Sequence, residues 1–279
     1  AGRYVVEQMT ELFSEGITVG DATLPLEILT KDSQSAPNRA AEVAADLILQ
    51  DQVDLILVTS TPDTTVPVAE QCEINGMPLL STDTPWQPWY FRNPNIGPEG
   101  YQWTFHFFWG LEDIIQVFSN MWGDVETNQT VGVLWPNDPD GLAWADPVNG
   151  FPPALEAAGY NVIDPGRYEN LKDDFSAEIS AFKEAGVEIV SGVMIPPDLV
   201  TFMTQASQQG FNPKVVTVGK AALFPAQIEA INGGLGDGIS SELWWTPTHP
   251  FSSSLTSQTA AELADEWTEK TDKQWTQPL

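Results

Sequence analysis

Residues 55–84 read LILVTSTPDTTVPVAEQCEINGMPLLSTDT, and this stretch decides the fold. The apolar run at residues 55–58 is typical of a buried strand, and a second apolar run follows at residues 77–80. Between them, residues 66–75 have the length and pattern of a helix, which Gly76 ends as a left-handed cap. Two short apolar strands separated by a helix indicate neighbouring parallel strands.

The same alternation continues on both sides of this stretch. Further strands are predicted at residues 24–30, 104–109, 131–135, 160–163, 188–195, 214–218 and 238–245, with helices between them. Residues 4–13 are predicted to be a helix, and Thr259 with Glu262 forms the capping box of the last one. Short apolar strands that alternate with helices predict parallel sheets with both faces covered. Cys72 is interpreted as a buried thiol.

The alternation breaks at residues 85–101, where proline, glycine, asparagine and aromatic residues follow one another without periodicity. This segment is predicted to be a loop, and it divides the pattern into two α/β lobes. In open parallel sheets, ligands bind beyond the carboxyl ends of the strands. The candidate binding residues are therefore those that directly follow the predicted strands.

Hydroxyl side chains follow the first strand of the opening stretch. The residues around the start of the next helix are Ser60, Thr61, Thr64 and Thr65. Their hydroxyls and the helix amides could bind a carboxylate. The alternative is simple helix capping, which needs only one such residue.

Three further strand ends carry polar or charged side chains. Asp83 and Thr84 follow the second strand of the opening stretch, and the alternative for them is an ordinary turn. Asp140 lies in an acidic loop that resembles a calcium loop only by its acid count. The EF-hand spacing is absent there, so a turn at the strand end is favoured. Lys220 follows another predicted strand and is either an anion contact or a solvated surface lysine.

Tryptophans crowd around the predicted lobe junction. The six residues are Trp86, Trp89, Trp103, Trp109, Trp135 and Trp144. Half of them are interpreted as core. Trp86, Trp109 and Trp135 are the candidates for lining a cleft, where their faces suit planar ligands or quaternary ammonium groups.

The charge and composition exclude several classes of function. Eleven Lys and Arg residues stand against 39 Asp and Glu residues, which gives a net charge of −28. Such a surface repels nucleic acid and anionic membranes, so neither is expected as a partner. The chain is not an acidic disordered segment, because 42% of its residues are hydrophobic and 11 are tryptophan.

The sequence contains no recognisable catalytic or cofactor-binding motif. With one Cys and two His residues, no metal cluster of known spacing is present, and no metal is expected. A nucleophile elbow, a P-loop and a dinucleotide fingerprint are also missing, so we expect neither an enzyme nor a cofactor. No apolar run reaches about 18 residues, so direct membrane insertion is not expected.

Four motifs carry a resemblance to a known family. Residues 32–41 read DSQSAPNRAA, residues 174–177 read DFSA ahead of Ile179, and Gln205-Ala206 precedes Gly210-Phe211. Together with the strand and hydroxyl loop at residues 55–60, their order resembles the periplasmic solute-binding proteins of ABC importers, of the branched-chain amino-acid receptor type.

The resemblance implies two Rossmann-like lobes that are joined by a multi-strand hinge, with a ligand cleft between them. Residues 1–104 would form the first part of lobe I, residues 105–243 lobe II, and residues 244–279 a return to lobe I. Members of this type usually begin with a further strand and continue for several more elements. The chain is therefore expected to be truncated at both ends.

The implied function is capture of a small organic solute by hinge closure and delivery to the permease subunits of an ABC importer. The chain would be a monomer, in the periplasm or lipid-anchored outside the cell. Residues 60–65 and Asp83 would meet the solute in lobe I, and Asp140 and Lys220 in lobe II. Such receptors usually carry an acidic residue near the position of Lys220. The solute would be amino-acid-like, an aromatic carboxylate or a compact zwitterion, and a lysine with several tryptophans suits the last two better than an ordinary α-amino acid.

Two alternatives remain for the function. The first is a ligand-sensing domain of a receptor or regulator with the same fold, which a membrane-spanning or DNA-binding segment elsewhere in the gene product would indicate. The second and more remote one is a hydrolase, because a spatial triad does not require a local sequence motif.

Overall fold

The computed structural model describes residues 2–91 and 99–279, without the side chain of Asn232. Contacts between residues group the chain into two units. Unit 1 consists of Ala1–Asp32 and Leu243–Leu279, and unit 2 is Ser33–Glu242. The lobe boundaries at residues 104/105 and 243/244 stay a prediction.

The elements are numbered in chain order. The helices are α1 (Gly2–Leu12), α2 (Pro37–Leu49), α3 (Pro62–Asn75), α4 (Trp86–Tyr90), α5 (Leu111–Gly123), α6 (Pro139–Trp144), α7 (Phe151–Ala157), α8 (Ser176–Ala185), α9 (Pro196–Gln208), α10 (Pro225–Glu229) and α11 (Ala260–Thr271), with a short 3-10 helix at Asn232–Gly234. The strands are β1 (Ile17–Val19), β2 (Ala22–Leu24), β3 (Ile56–Thr59), β4 (Leu79–Thr82), β5 (Thr104–His106), β6 (Thr130–Pro136), β7 (Asn161–Ile163), β8 (Arg167–Tyr168), β9 (Ile189–Val193), β10 (Val215–Gly219) and β11 (Ile239–Ser240).

Unit 1 contains α1, an antiparallel hairpin of β1 and β2, and α11. The ring of Tyr4 in α1 meets Trp267 in α11 edge to face, with 5.1 Å between the ring centroids. The predicted capping box is confirmed, because the Thr259 hydroxyl accepts from the amide of Glu262, whose carboxylate accepts from the Thr259 amide. The strand predicted at residues 24–30 is wrong, since β2 ends at Leu24. Pro25, which has no N–H for a sheet, follows directly.

The first sheet of unit 2 is parallel, with the order β3-β4-β5. Ile56 pairs with Leu79, and both side chains share a core with Val66 of α3. Cys72 is 0% exposed in this core, so the predicted burial of the thiol is confirmed. Gly76 has a φ of 65°, which confirms the left-handed cap at the end of α3.

On the opposite face of the first sheet, a row of apolar side chains is exposed in the part of the chain that the structure describes. Leu57, Leu80 and Phe105 lie side by side in the strand register, and they are 71%, 47% and 63% exposed. The prediction that both faces are covered is wrong for this sheet. Because strand residues alternate between faces, an apolar run shows that both faces are apolar without showing what packs on each.

The second sheet of unit 2 is also parallel, with the order β11-β10-β9-β6-β7 and β8 paired with β6. Every residue of β6 and β9 is buried. Val133 belongs to the core on one face and Leu134 to the core on the other. Both faces of this sheet are therefore covered, as the apolar strands predict.

Two connections differ from the sequence-based expectation. Trp86–Tyr90 form the short helix α4 within residues 85–101, where a loop is predicted; residues 92–98 of that prediction lie outside the described residues. The turn predicted after the strand at residues 131–135 is the short helix α6. The Asp138 side chain caps it by accepting a hydrogen bond from the amide of Gly141, with an N–O distance of 2.9 Å.

Candidate functional site

Three strand ends in unit 2 have an unusual backbone. Ser60 follows β3 with a φ of 130°, Asp83 follows β4 with a φ of 66°, and Lys220 follows β10 with a φ of 71°. Residues other than glycine rarely adopt positive φ values, and such strain concentrates where a protein binds a ligand. All three residues are among the sequence-predicted site residues.

At the first sheet, one carboxylate connects the ends of β3 and β4. Asp83 accepts hydrogen bonds from the hydroxyls of Thr59 and Thr82. Thr59 is the last residue of β3 and pairs with Thr82 at the end of β4, so both hydroxyls lie at the strand ends that the sequence selects. These hydrogen bonds stabilise the left-handed conformation of Asp83 at the carboxyl end of β4.

The hydroxyls of the next loop divide into two groups. The buried hydroxyls of Thr64 and Thr65 donate to the carbonyl oxygen of Thr61, over 3.2 and 3.1 Å. They therefore stabilise the first turn of α3. Ser60 is exposed, and Thr61 is the N-cap residue without a side-chain cap bond. Ser60 and Thr61 are the members of this set that are placed to meet a ligand.

At the second sheet, Lys220 and Asp140 form an ion pair. The distance from Lys220 Nζ to Asp140 Oδ2 is 2.7 Å, and the two side chains are 27% and 10% exposed. The backbone amide of Lys220 donates to both carboxylate oxygens of Glu242, over 2.8 and 3.1 Å. The Ser241 hydroxyl also donates to Glu242. The sequence analysis missed Glu242, which stands within residues 238–245, a segment predicted to be a strand.

Burial and nearby carboxylates shift the pKa values of Lys220 and Glu242. Burial acts to lower the pKa of Lys220, but the carboxylates of Asp140, Asp138 and Asp63 outweigh it, so the pKa is raised. Burial raises the pKa of Glu242, although the Lys220 amide favours the charged form. Lys220 is therefore held as a cation among carboxylates.

The segment that follows β3 lies near the end of β10. Asp63 in the first turn of α3 lies close enough to Lys220 to affect its pKa, and both α3 and α4 contact α6, which carries Asp140. The start of α3, which follows β3, therefore lies near the end of β10. That the strand ends form one binding site stays a prediction.

A cavity of about 360 Å³ lies beside α6. Its lining is mostly apolar and comes from α4, the start of α5, and α6 and the segment after it: Gln87, Pro88, Phe91, Leu111, Pro139, Leu142, Ala143, Asp146 and Asn149. Pro139 directly precedes Asp140, so the cavity adjoins the ion pair. Its volume is in the range of small-molecule sites.

The remaining candidates have varied surroundings. Trp86 is half-buried, and its indole N–H donates to Glu112 Oε1 over 2.9 Å. Trp109 is also half-buried and packs against the core beside the second sheet. Trp135 is 1% exposed in that core, beneath the guanidinium of Arg167. Thr84 is 1% exposed, and its hydroxyl has no hydrogen-bond partner among the described residues. Trp135 and Thr84 are thus not open to solvent.

A Ser–His pair bears on the hydrolase alternative. His106 Nε2 lies 2.7 Å from the carbonyl oxygen of Thr84, to which it must donate. Its Nδ1 therefore accepts from the hydroxyl of Ser81, 2.8 Å away. Burial lowers the pKa of His106, and Ser81 is 0% exposed. This geometry favours a neutral, half-buried histidine, and the buried Ser81 hydroxyl leaves no access for a substrate carbonyl.

Two further properties concern metals and membranes. The part of the chain that the structure describes holds no group of three or more His, Cys, Asp or Glu side chains arranged around a metal ion. Among these same residues, no helix combines the length and the apolar character that crossing a membrane requires. The absence of a cofactor stays a prediction.

Comparison with known proteins gives a family and a fold. The model of the family described as periplasmic binding protein matches residues 1–278. No curated protein matches the chain. Solved structures that are similar include the leucine binding protein LivK from Thermotoga maritima MSB8, with a TM-score of 0.75 and 20% identity over 99% of this chain and 73% of that one.

Two other similar structures were solved with an amino acid bound. The substrate binding protein LivJ from Streptococcus pneumoniae, in complex with isoleucine, has a TM-score of 0.74 and 15% identity, covering 99% of this chain and 72% of its own. An ABC transporter substrate-binding protein from Desulfitobacterium hafniense, in complex with Leu, has a TM-score of 0.69 and 13% identity, with the same coverage. These likenesses show the two-lobed α/β fold. From the match over residues 1–278, the chain belongs to the periplasmic binding protein family.

Proposed function

We propose that this chain captures a small amino-acid-like solute and delivers it to the permease subunits of an ABC importer. One observation carries the proposal: three strand ends with positive φ carry hydroxyl groups and charges of both signs, and the one with the Asp140–Lys220 ion pair adjoins an apolar cavity. The proposal takes these strand ends to surround one opening. The family implies an extracytoplasmic location. A periplasmic or lipid-anchored form and a monomeric state are further parts of the proposal.

The opening offers complementary partners for a polar solute. Ser60 and Thr61 present hydroxyls and backbone amides at the start of α3, which suits a carboxylate. Asp83 presents a carboxylate at the end of β4, which suits a donor group. The cavity beside α6 has room for a branched or aromatic side chain. The similar structures named for leucine and isoleucine support an apolar amino acid as the first solute to test.

Binding without turnover is part of this proposal. The family consists of binding proteins. The buried Ser81–His106 pair supports the same conclusion, because a nucleophilic serine must reach its substrate.

Isothermal titration calorimetry against a panel of L-amino acids, their des-amino carboxylates and small aromatic carboxylates tests the proposal. We expect at least one solute to bind with micromolar affinity or better, and native mass spectrometry to detect the same solute unchanged after incubation. Asp83→Asn should weaken this binding about tenfold or more, whereas Asp265→Asn, which makes the same charge change on the exposed side of α11, should not. No binding across the panel, or equal effects of the two substitutions, would contradict the proposal.

The ligand-sensing alternative predicts the same affinity but a different output. In vesicles that contain the candidate permease and its ATPase, the solute-loaded protein should stimulate ATP hydrolysis. A protein that binds its solute but leaves the ATPase at its basal rate would favour the sensing role.

A further inference from the structure

Hydrogen bonds join α4 to the start of α5. The carboxylate of Glu112 accepts from the indole N–H of Trp86 over 2.9 Å at Oε1, and from the side-chain amide of Gln87 at Oε2. The carbonyl oxygen of the same Gln87 side chain accepts from the backbone amide of Leu111 over 2.8 Å. Two neighbouring residues of α4 are therefore bound to two neighbouring residues of α5, and we call these four residues the α4–α5 clamp.

The centre of the clamp is buried. Gln87 is 6% exposed and Leu111 is 1% exposed, so these groups depend on protein partners for their hydrogen bonds. α5 follows Gly110, which has no side chain to cap the helix, and Gln87 supplies the acceptor for the Leu111 amide instead. Burial acts to raise the pKa of Glu112, but the hydrogen bonds that the carboxylate accepts outweigh it, so the pKa is lowered. The carboxylate is therefore charged at neutral pH, which strengthens both bonds that it accepts.

Gly110 shows independently that the clamp requires a close approach of its side chains. A Cβ at this position would clash with Oε2 of Glu112 and with Nε1 of Trp86. The φ of −104° and ψ of 173° at Gly110 are open to any residue, so the backbone itself does not require a glycine here. The two clamp side chains require it, because they would have to separate around a methyl group.

The clamp also holds two walls of the cavity beside α6. Gln87 and Pro88 line this cavity from α4, and Leu111 lines it from α5. Glu112 is not one of the described residues that line the cavity, so it would act on a solute through Gln87. When the walls of a cavity are held in place before binding, less free energy is spent on ordering them, and the solute leaves more slowly.

We propose that Glu112 is a positioning residue: its carboxylate keeps α4 and α5 together, so that the cavity which they line retains a solute. The inference rests on the proposed function and adds to it a group that controls how long the solute stays bound. Without the carboxylate, the buried amide of Gln87 loses its acceptor. α4 must then move away from α5 for that amide to reach water, and the Leu111 amide loses its own acceptor with it.

Hydrogen exchange of the ligand-free protein, resolved to single amides, tests the clamp directly. Glu112→Ala removes the acceptor, and Gly110→Ala places a methyl group between the clamp side chains. In both variants, the Leu111 amide should exchange about tenfold faster or more than in the unmodified protein. The controls are Glu156→Ala, which removes an exposed carboxylate from α7, and Gly123→Ala, whose Cβ meets no atom within 4 Å. Neither control should speed this exchange by more than about twofold.

Stopped-flow kinetics measures the effect on a solute. The first probe is L-leucine, followed by the member of the calorimetric panel that binds most tightly. Both clamp variants should release the solute about fivefold faster or more, while the association rate changes by less than about threefold. The double variant Gly110→Ala with Glu112→Ala should release it no faster than the faster single variant, because both changes open the same clamp.

Circular dichroism melting establishes that each variant is folded. If Glu112→Ala or Gly110→Ala does not fold, Glu112→Gln takes its place, because it keeps the size of the side chain. Its amide has one oxygen and two N–H donors, so it can accept from Trp86 or from Gln87 but opposes the other with a donor. The same changes in exchange and release are expected.

The outcomes separate this inference from the proposed function. Unchanged exchange of the Leu111 amide in the clamp variants overturns the inference, and so does faster exchange with an unchanged release rate of the solute. Equal effects in the clamp variants and the controls, or additive effects in the double variant, also overturn it. In each of these cases the solute-binding function stands. Absence of binding across the whole panel overturns the proposed function and the inference together.

Discussion

Replacing Asp140 by asparagine changes one oxygen of the Lys220 ion pair into an amide and keeps the shape of the side chain. The lysine is then left without the carboxylate 2.7 Å from its ammonium. Exposed ion pairs contribute about 0.2–1 kcal/mol to stability, whereas breaking a buried pair costs about 3–5 kcal/mol. At 27% and 10% exposure, this pair lies between the two cases, so we expect a loss of about 2 kcal/mol.

That loss corresponds to about a thirtyfold change in the unfolding equilibrium constant and lowers the melting temperature by about 4–8 °C in a unit of this size. Urea unfolding followed by tryptophan fluorescence measures it directly. Asp164→Asn is the matched control, because its pair with Arg167 has the same N–O distance of 2.7 Å and the same 27% exposure of the cation, but a carboxylate that is 32% exposed. We expect the control to cost less than about 1 kcal/mol.

A loss below about 0.5 kcal/mol in Asp140→Asn, or equal losses in the two variants, would refute the reasoning from burial. Raising the salt concentration gives a second check, since salt screens an exposed pair more than a partly buried one. The stability difference between Asp140→Asn and the unmodified protein should therefore persist at high salt.

Three further predictions follow from the same unit. Gly219→Ala should lower the free energy of unfolding in urea by about 1–3 kcal/mol, because the added Cβ would lie 2.7 Å from Cη2 of Trp144. Gly123→Ala is the control: its Cβ meets no atom within 4 Å, so the change should be neutral or slightly stabilising. Burial raises the pKa of Glu242, so the stability that its neutral form provides is present below about pH 4.3 and is lost as the pH rises through the raised pKa. Glu242→Gln, which stays neutral, should therefore become more stable relative to the unmodified protein as the pH rises above about 4.3; urea midpoints of the two proteins that stay parallel with pH would contradict this. Burial raises the pKa of the Cys72 thiol to about 12, so a thiol reagent at mildly alkaline pH should label it only in urea, and rapid labelling of the folded protein would be the opposite result.

The α/β fold could be predicted from the sequence because its strands are apolar and its helices carry clear signals. Gly76 and the Thr259–Glu262 box end or begin helices through local backbone chemistry, and both are confirmed. The hairpin of β1 and β2 and the uncovered row beginning at Leu57 were missed. Coverage of a sheet face depends on residues distant in the chain and leaves no local pattern. The hairpin did leave one, since Gly20-Asp21 between its strands is a two-residue turn that favours hairpins.

The candidate site could be predicted only in part. The strand-end rule selected Ser60, Asp83 and Lys220 from the predicted topology, and all three have a positive φ in the structure. Their part in a binding site stays a prediction. Glu242 was missed, since its role depends on a hydrogen bond to the Lys220 amide across two strands. The burial of Trp135 could not be predicted, because a tryptophan at a strand end has the same sequence pattern in a core and in a cleft.

Unit 1 also has a consequence for the order of folding. It joins the first 32 residues to the last segment from Leu243, through contacts such as Tyr4 with Trp267 and Lys270 with Gln8, while unit 2 is continuous. During synthesis, α1 leaves the ribosome early, yet its partner α11 is made after the whole of unit 2. Until then the apolar side of α1 has no partner from α11, so unit 1 can complete its packing only after unit 2 has been made.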